Sequence, residues 1–235
     1  MQDFSGAFFE AFRLVARLDP DLMEVVGLSL RVSLSAVLIA AVIGMPVGAL
    51  LAVTRFPGRG MVIVLLNSLM GLPPVVVGLT VYLMLSNAGP LGVLQLLYTP
   101  TAMIIAQALL VTPIIAALAR QTIQDLHGEY ADYLHMLGTG PFGMVATLLI
   151  DARHNLLTAL LAGFGRAIAE VGAVIIVGGN INHVTRVMTT TIALETSKGN
   201  LALAMGLGIV LIAIAVAINA MLSGVRAAAT RAAYG

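Results

Sequence analysis

Within an apolar run of the C-terminal half, Arg166 and Glu170 lie four residues apart. On one helix that spacing places them a turn apart, where each partly neutralises a charge that is costly at membrane depth. Such a pair is either a structural ion pair or an element of a gate or substrate path. Downstream, GGNINHVTRVMTTTIALETSKGN at 178–200 collects Asn180, Asn182, His183, Arg186 and the hydroxyls of Thr189, Thr190 and Thr191. Hydroxyl and amide donors beside a helix start suit a transient anion, although the same composition also describes an exposed loop. Upstream, GLPPVVVG at 71–78 carries Pro73 and Pro74, which remove successive backbone donors from an apolar segment. In lipid the freed carbonyls must face protein or a wet cavity, so the segment is either a packing kink or a break lining a pathway.

These residues sit in a strongly apolar chain. Of 235 residues, 60% are hydrophobic and 10% charged, with a mean hydropathy of +1.03. Soluble domains carry about 25% charged residues, so this is an integral, all-α membrane protein. The absence of cysteine excludes disulfides and Cys-based metal or nucleophile chemistry. No HExxH or comparable metal spacing and no catalytic constellation occurs. A net charge of +1 gives no case for nucleic acid. The chain lacks a G-x-x-x-x-G-K-[ST] loop and so has no P-loop site for ATP. Inverted repeats, the usual sign of a secondary transporter, are not visible.

About five apolar runs are long enough to cross a bilayer, at 25–53, 61–85, 100–119, 156–177 and 201–222. Residues 1–23, with Phe4, Phe8 and Phe12 four apart, suggest an interfacial helix broken by Asp19-Pro20-Asp21. Residues 24–222 form the transmembrane domain, and 223–235 a C-terminal tail. Arg31, two turns into the first run, is expected to snorkel. Ala162, Gly165, Ala169 and Gly172 form a small-residue stripe that lets helix backbones approach closely. An odd number of spans puts Arg55, Arg59, Arg120, Arg153, Arg226 and Arg231 on one side and Arg13, Arg17, Arg186 and Lys198 on the other. The positive-inside rule then places the C-terminus and the 120–154 loop in the cytoplasm and the N-terminus outside.

That loop holds the main polar interruption. Tyr130, Tyr133, Leu134 and Leu137 recur at i, i+3, i+4 and i+7, with Glu129, Asp132 and His135 on the remaining surface. The pattern predicts a short amphipathic helix at 128–138, ended by Gly138 and followed by a second helix from Gly140-Pro141. Such a helix lays its apolar face on headgroups or in the groove of a partner protein. A membrane protein with a docking helix and no energy source of its own calls for an external one.

The stretch DYLHMLG at 132–138 resembles the EAA loop of ABC importer permeases, Glu-Ala-Ala, three residues and Gly, followed by Ile-x-Leu-Pro. Asp132 stands for the Glu and Gly138 for the Gly, while Leu148, Leu149 and Ile150 fit the later apolar part. Tyr133 and Leu134 replace the alanines and Asp151 the proline. LPPVVVG at 72–78 and GFGRAIAEVGA at 163–173, continuing to Asn180, resemble the matching runs of molybdate and tungstate oxyanion permeases. The run from Glu170 to Asn200 is most like the tungstate members. The resemblance implies a type I importer permease of the bacterial cytoplasmic membrane, built as a homodimer. Two copies of a cytoplasmic ATPase would carry ATP and Mg, leaving this chain without a cofactor, and an extracytoplasmic oxyanion-binding protein would deliver the anion. It makes Glu129, Tyr130, Asp132, Tyr133, Leu134, Leu137 and Gly138 the ATPase-coupling residues. Pro73, Pro74, Arg166, Glu170, Asn180, Thr189 and Thr190 become the candidates for the substrate path or gate.

Overall fold

The computed structural model describes residues 9, 13, 15–17 and 19–234, and every regular element among them is helical. The aromatic repeat at Phe4, Phe8 and Phe12 lies outside the described residues. The first long helix, α1 (Pro20–Val53), begins before the expected position 25. Asp19 Oδ1 accepts the N–H groups of Asp21 and Leu22 at 3.1 and 3.2 Å. The Asp-Pro-Asp triplet therefore opens a helix, through an N-cap carboxylate and a proline at the first helical position. The second run is interrupted as its prolines require: α2 (Arg59–Leu69) and α3 (Pro74–Leu85) are separate helices.

The third run differs from expectation. Helix α4 (Pro100–Met136) is continuous through Pro113 and through 120–136, so residues 128–136 extend a span instead of forming a helix of their own. Gly128 is the only helix breaker between Pro113 and Gly138, and Arg120 Nη1 reaches Gln124 Oε1 one turn on, at 2.6 Å. The stop comes at Gly138, whose φ is 69°. Gly138 N–H donates to His135 O at 2.9 Å and Thr139 N–H to Leu134 O at 3.1 Å, the paired bonds of a Schellman ending. After Gly140 in extended conformation, Pro141 opens α5 (Pro141–Asp151), which meets α6 (Arg153–Ile168) at a bend of 80°.

The fourth run is also broken. Helix α6 stops at Ile168 and α7 (Gly172–Gly178) starts after a gap, so Arg166 and Glu170 do not share a helix. The stripe of Ala162, Gly165, Ala169 and Gly172 is interrupted by the same gap. Then follow α8 (Met188–Lys198) and α9 (Leu201–Tyr234), which carries helix beyond position 222. Three helices have the length and composition to cross a membrane, 20–53, 100–136 and 201–221, and up to five spans result if each bent pair counts as one.

The chain divides into two compact units. The first comprises 1–35, 74–107 and 168–221, the second 36–73, 108–167 and 222–235. In the first, α3 packs on α7 at backbone distance: a Cβ on Gly78 would lie 2.7 Å from Ala173 Cα. In the second, α1 meets α4 at Gly44 and Gly48, where a Cβ on Gly48 would lie 2.2 Å from the Ala116 carbonyl oxygen. Close approach thus falls at Gly44, Gly48 and Gly78, whereas Gly165 has nothing near its Cβ position. Membrane helices gain no hydrophobic drive against lipid and depend on such packing. Gly48→Val must push two backbones apart, and we expect it to lower stability by about 1–3 kcal/mol, read as an earlier thermal transition of the purified protein.

Candidate functional site

Two constellations, one in each unit, hold the polar residues. In the first unit the short helix α7 is fixed at both ends. At its start, Glu170 is 6% exposed, and its Oε1 accepts the Ala173 N–H at 3.2 Å. The Glu170 carbonyl accepts the Thr189 hydroxyl at 2.8 Å, which ties α8 to the start of α7. At the far end, Thr185 Oγ1 donates to Gly178 O at 2.5 Å and accepts the Ile181 N–H at 3.0 Å. Tyr98 N–H donates to Val177 O at 2.9 Å. Gly179 and Asn180 both turn with positive φ, and Asn180 Oδ1 is buried with no hydrogen-bond partner among the described residues. Pro74 opens α3, the helix that packs on α7, so Pro74, Glu170, Asn180, Thr189 and Thr190 are gathered within one unit. Pro73 precedes α3, and Arg166 lies half-buried on α6, both in the second unit.

The expected donor role of the threonines is corrected here. Thr189 is spent on Glu170 O, while Thr190 and Thr191 donate to Val187 O at 3.0 and 2.7 Å, and all three are buried. A hydroxyl without another partner inside a helical core returns its proton to a nearby carbonyl. Of the three, Thr191 lines a cavity together with other polar groups. Arg31, Asn182, His183, Arg186, Glu24 and Glu195 line the same cavity, of about 640 Å³. Arg186 Nη1 donates to Asn182 Oδ1 at 2.9 Å, and His183 Nδ1 lies 2.8 Å from Glu24 Oε2. Arg31 thus lines a polar cavity. Ser29 Oγ accepts the Met188 N–H at 2.7 Å, fixing the start of α8 against α1. Glu24 and Ser29 were missed because their partners, His183 and Met188, lie 159 positions away in the chain, and Glu195 because nothing in its polar segment marks it as buried.

Glu195 accepts from Lys198 Nζ at 2.9 Å and from Asn200 Nδ2 at 3.0 Å. The Lys198 bond, followed by Asn200 and the charges of Lys198 and Arg186, holds its carboxyl below the usual glutamate value against the opposing pull of burial. A depressed folded pKa gives stability that is present above the unfolded value, about 4.3, and is lost as pH falls through the folded one. The thermal midpoint of wild type relative to Glu195→Gln is therefore expected to shrink on acidification through that window. A constant difference would show that the carboxylate charge contributes nothing.

In the second unit the end of α4 and the start of α5 form a corner. The expected apolar face of 128–138 is divided. Leu134, 9% exposed, turns inward onto Ile123, Met144, Val145 and Leu148. Tyr133 at 65% and Leu137 at 79% stay outside, with Tyr130, Met136 and Phe142. Leu134 is therefore a core residue of the corner that reaches the surface only as lining of the groove beside Tyr130 and Tyr133. Glu129 and Asp132 are exposed. Thr139 Oγ1 donates to Leu134 O, closing the turn from the side-chain direction. Asp132 lines a cavity of about 660 Å³ with Arg55, His127 and His135. Large apolar side chains presented together beside charged ones fit a protein groove.

The family model for the binding-protein-dependent transport system inner membrane component matches residues 44–232. The chain is 41% identical over 222 residues to the tungstate uptake system permease protein TupB of Peptoclostridium acidaminophilum, covering 94% of this chain and 97% of the relative. It is 39% identical over 185 residues to a probable anion ABC transporter permease protein of Haloferax volcanii, covering 77% and 80%. It is 37% identical over 138 residues to the tungstate uptake system permease protein TupB of Campylobacter jejuni, covering 59% and 58%. With broken helices around a buried carboxylate in one unit and an apolar corner in the other, this chain belongs to the binding-protein-dependent inner membrane component family: it is a multi-pass ABC importer permease, and the ATPase is a separate subunit.

Proposed function

We propose that this permease carries tungstate across the cytoplasmic membrane into the cell. The observation that carries the reading is 41% identity to a tungstate uptake permease over nearly the whole of both chains. The run from Glu170 to Asn200, which resembles the tungstate members most, supports it. Two copies of the chain form the pathway, with the N-terminus outside and the C-terminus in the cytoplasm. Two ATPase subunits, holding ATP and Mg, dock on the cytoplasmic side, and an external binding protein delivers the anion.

In this reading Glu129, Tyr130, Asp132, Tyr133, Leu137 and Gly138 receive the ATPase, while Leu134 keeps the corner rigid from behind. Closure of the ATPase moves the corner as a body, because its apolar layer is continuous with α5. The gate comprises Pro73, Pro74, Arg166, Glu170 and Asn180. Thr189 and Thr190 serve it through backbone hydrogen bonds, not as anion donors. Anion choice resides mostly in the binding protein, so the path needs no tight site. Molybdate is the alternative substrate, favoured by the resemblance of the 72–78 and 163–173 runs to molybdate permeases.

The test is ATP hydrolysis by the complex reconstituted in vesicles with binding protein loaded with tungstate, molybdate or sulfate. Strongest stimulation with tungstate and accumulation of the anion inside are expected. Stimulation by molybdate or sulfate alone would reassign the substrate.

A further inference from the structure

Beyond the import function, the geometry points to a binding site for an anionic phospholipid in the second unit, formed by a groove between α1, α5 and α6. The groove holds about 380 Å³ and is almost wholly apolar, lined by Val42, Met45 and Pro46 of α1, Leu149 of α5, and Leu156 and Leu160 of α6. Among the described residues its one charged lining residue is Arg153. Leu156 closes the floor as part of the buried core, whereas Val42 is exposed along the wall.

Two features place a phosphate at Arg153. The guanidinium is exposed and its Nη1 donates to the Ile150 carbonyl at 3.0 Å, which leaves the rest of the fork for a partner. Arg153 is also the first residue of α6, where the positive end of a helix adds to the cation. The bend between α5 and α6 is 80°, and Arg153 at that corner is exposed among the described residues. Arg153 stands between two grooves: it lines the adjoining one together with Asp151, Tyr130 and Tyr133, whereas Asp151 does not line this one. A slot for an acyl chain ending at a cation matches an anionic lipid, in which phosphate and hydrocarbon are joined. A zwitterionic lipid offers the same tail but adds a positive head beside the guanidinium.

The test uses the permease–ATPase complex extracted in mild detergent, with retained phosphatidylglycerol and phosphatidylethanolamine counted by native mass spectrometry. Arg153→Gln should lower retained phosphatidylglycerol about five-fold, the scale of one basic side chain at a membrane surface, and leave phosphatidylethanolamine unchanged. Arg153→Lys should keep most of it. Leu160→Trp, which fills the slot without touching the charge, should lower it as well. Equal retention by wild type and Arg153→Gln overturns the site, as does equal loss of both lipids. If Leu160→Trp separates two permease copies without altering lipid, the groove belongs to a protein contact and the proposal fails. Should Arg153→Gln not yield intact complex, Arg153→Lys and Leu160→Trp carry the same decision. Because lipid retention is read without transport, its outcome is independent of which anion is imported.

Discussion

Gly138→Pro is expected to release the ATPase from the permease. Gly138 holds φ at 69° and its N–H donates to His135 O at 2.9 Å. Proline fixes φ near −65° and has no N–H, so both the turn and the bond are lost. The combined cost is about 2–3 kcal/mol, and it falls on the junction that orients α5 against the end of α4. Leu134, Met144, Val145 and Leu148 lose their register, and with them the exposed surface of Tyr133, Leu137 and Phe142. Co-purification of the ATPase should drop roughly 30- to 100-fold, while insertion of the permease into the membrane continues. Normal co-purification would remove this corner from the coupling role. Leu137→Asp, which leaves the turn intact and puts a charge on the outer face, should weaken association without shifting the thermal midpoint.

The second large effect concerns Glu170. Its carboxylate caps α7 through Ala173 N–H, and its carbonyl anchors Thr189. Glu170→Ala leaves the buried Ala173 N–H without that acceptor, at a cost of about 1–3 kcal/mol, and loosens the helix on which Gly78 packs. Anion uptake should fall about ten-fold or more, since a loss of this size in the gate's resting geometry changes its populations by that factor. Glu170→Gln retains an oxygen acceptor and removes the charge. Intermediate uptake with Gln indicates that capping dominates, whereas equal loss indicates that charge does. Uptake by Glu170→Ala at the wild-type rate, measured as intracellular anion by mass spectrometry, would exclude Glu170 from the gate. Thr189→Val provides an independent check, because it deletes only the hydroxyl that reaches Glu170 O.

Much of this molecule is legible before any coordinates. Three apolar helices of bilayer length, the Pro73-Pro74 break, the Gly138 stop and the Pro141 start all follow from local chemistry and appear in the structure, whereas the 156–177 run is broken. Each depends on what a residue can do with its own φ, N–H or side-chain volume, which the chain carries wherever it is placed. The Asp19-Pro20-Asp21 triplet, read as a breaker, also caps the helix that follows it. Cap and breaker use the same residues, and only the geometry of the next turn separates them.

What the chain alone could not decide was partnership at a distance. The spacing of Arg166 and Glu170 implied one helix, but α6 ends at Ile168 because Glu170 is drawn away to cap α7 and to hold Thr189 from nineteen residues on. Periodicity put Leu134 on the outer face with Tyr133, yet the core of Ile123, Met144 and Leu148 claims it, since an apolar stripe does not state which neighbour will cover it. Thr189 read as a donor to an anion because its partner, the Glu170 carbonyl, lies nineteen residues away, whereas Thr190 and Thr191 turn back locally to Val187 O. Sequence determined the membrane class, the helix stops and the broken second span, all matters of local backbone chemistry. Tertiary structure decided which polar groups are already satisfied and which remain open, because hydrogen bonds and burial depend on segments far apart in the chain.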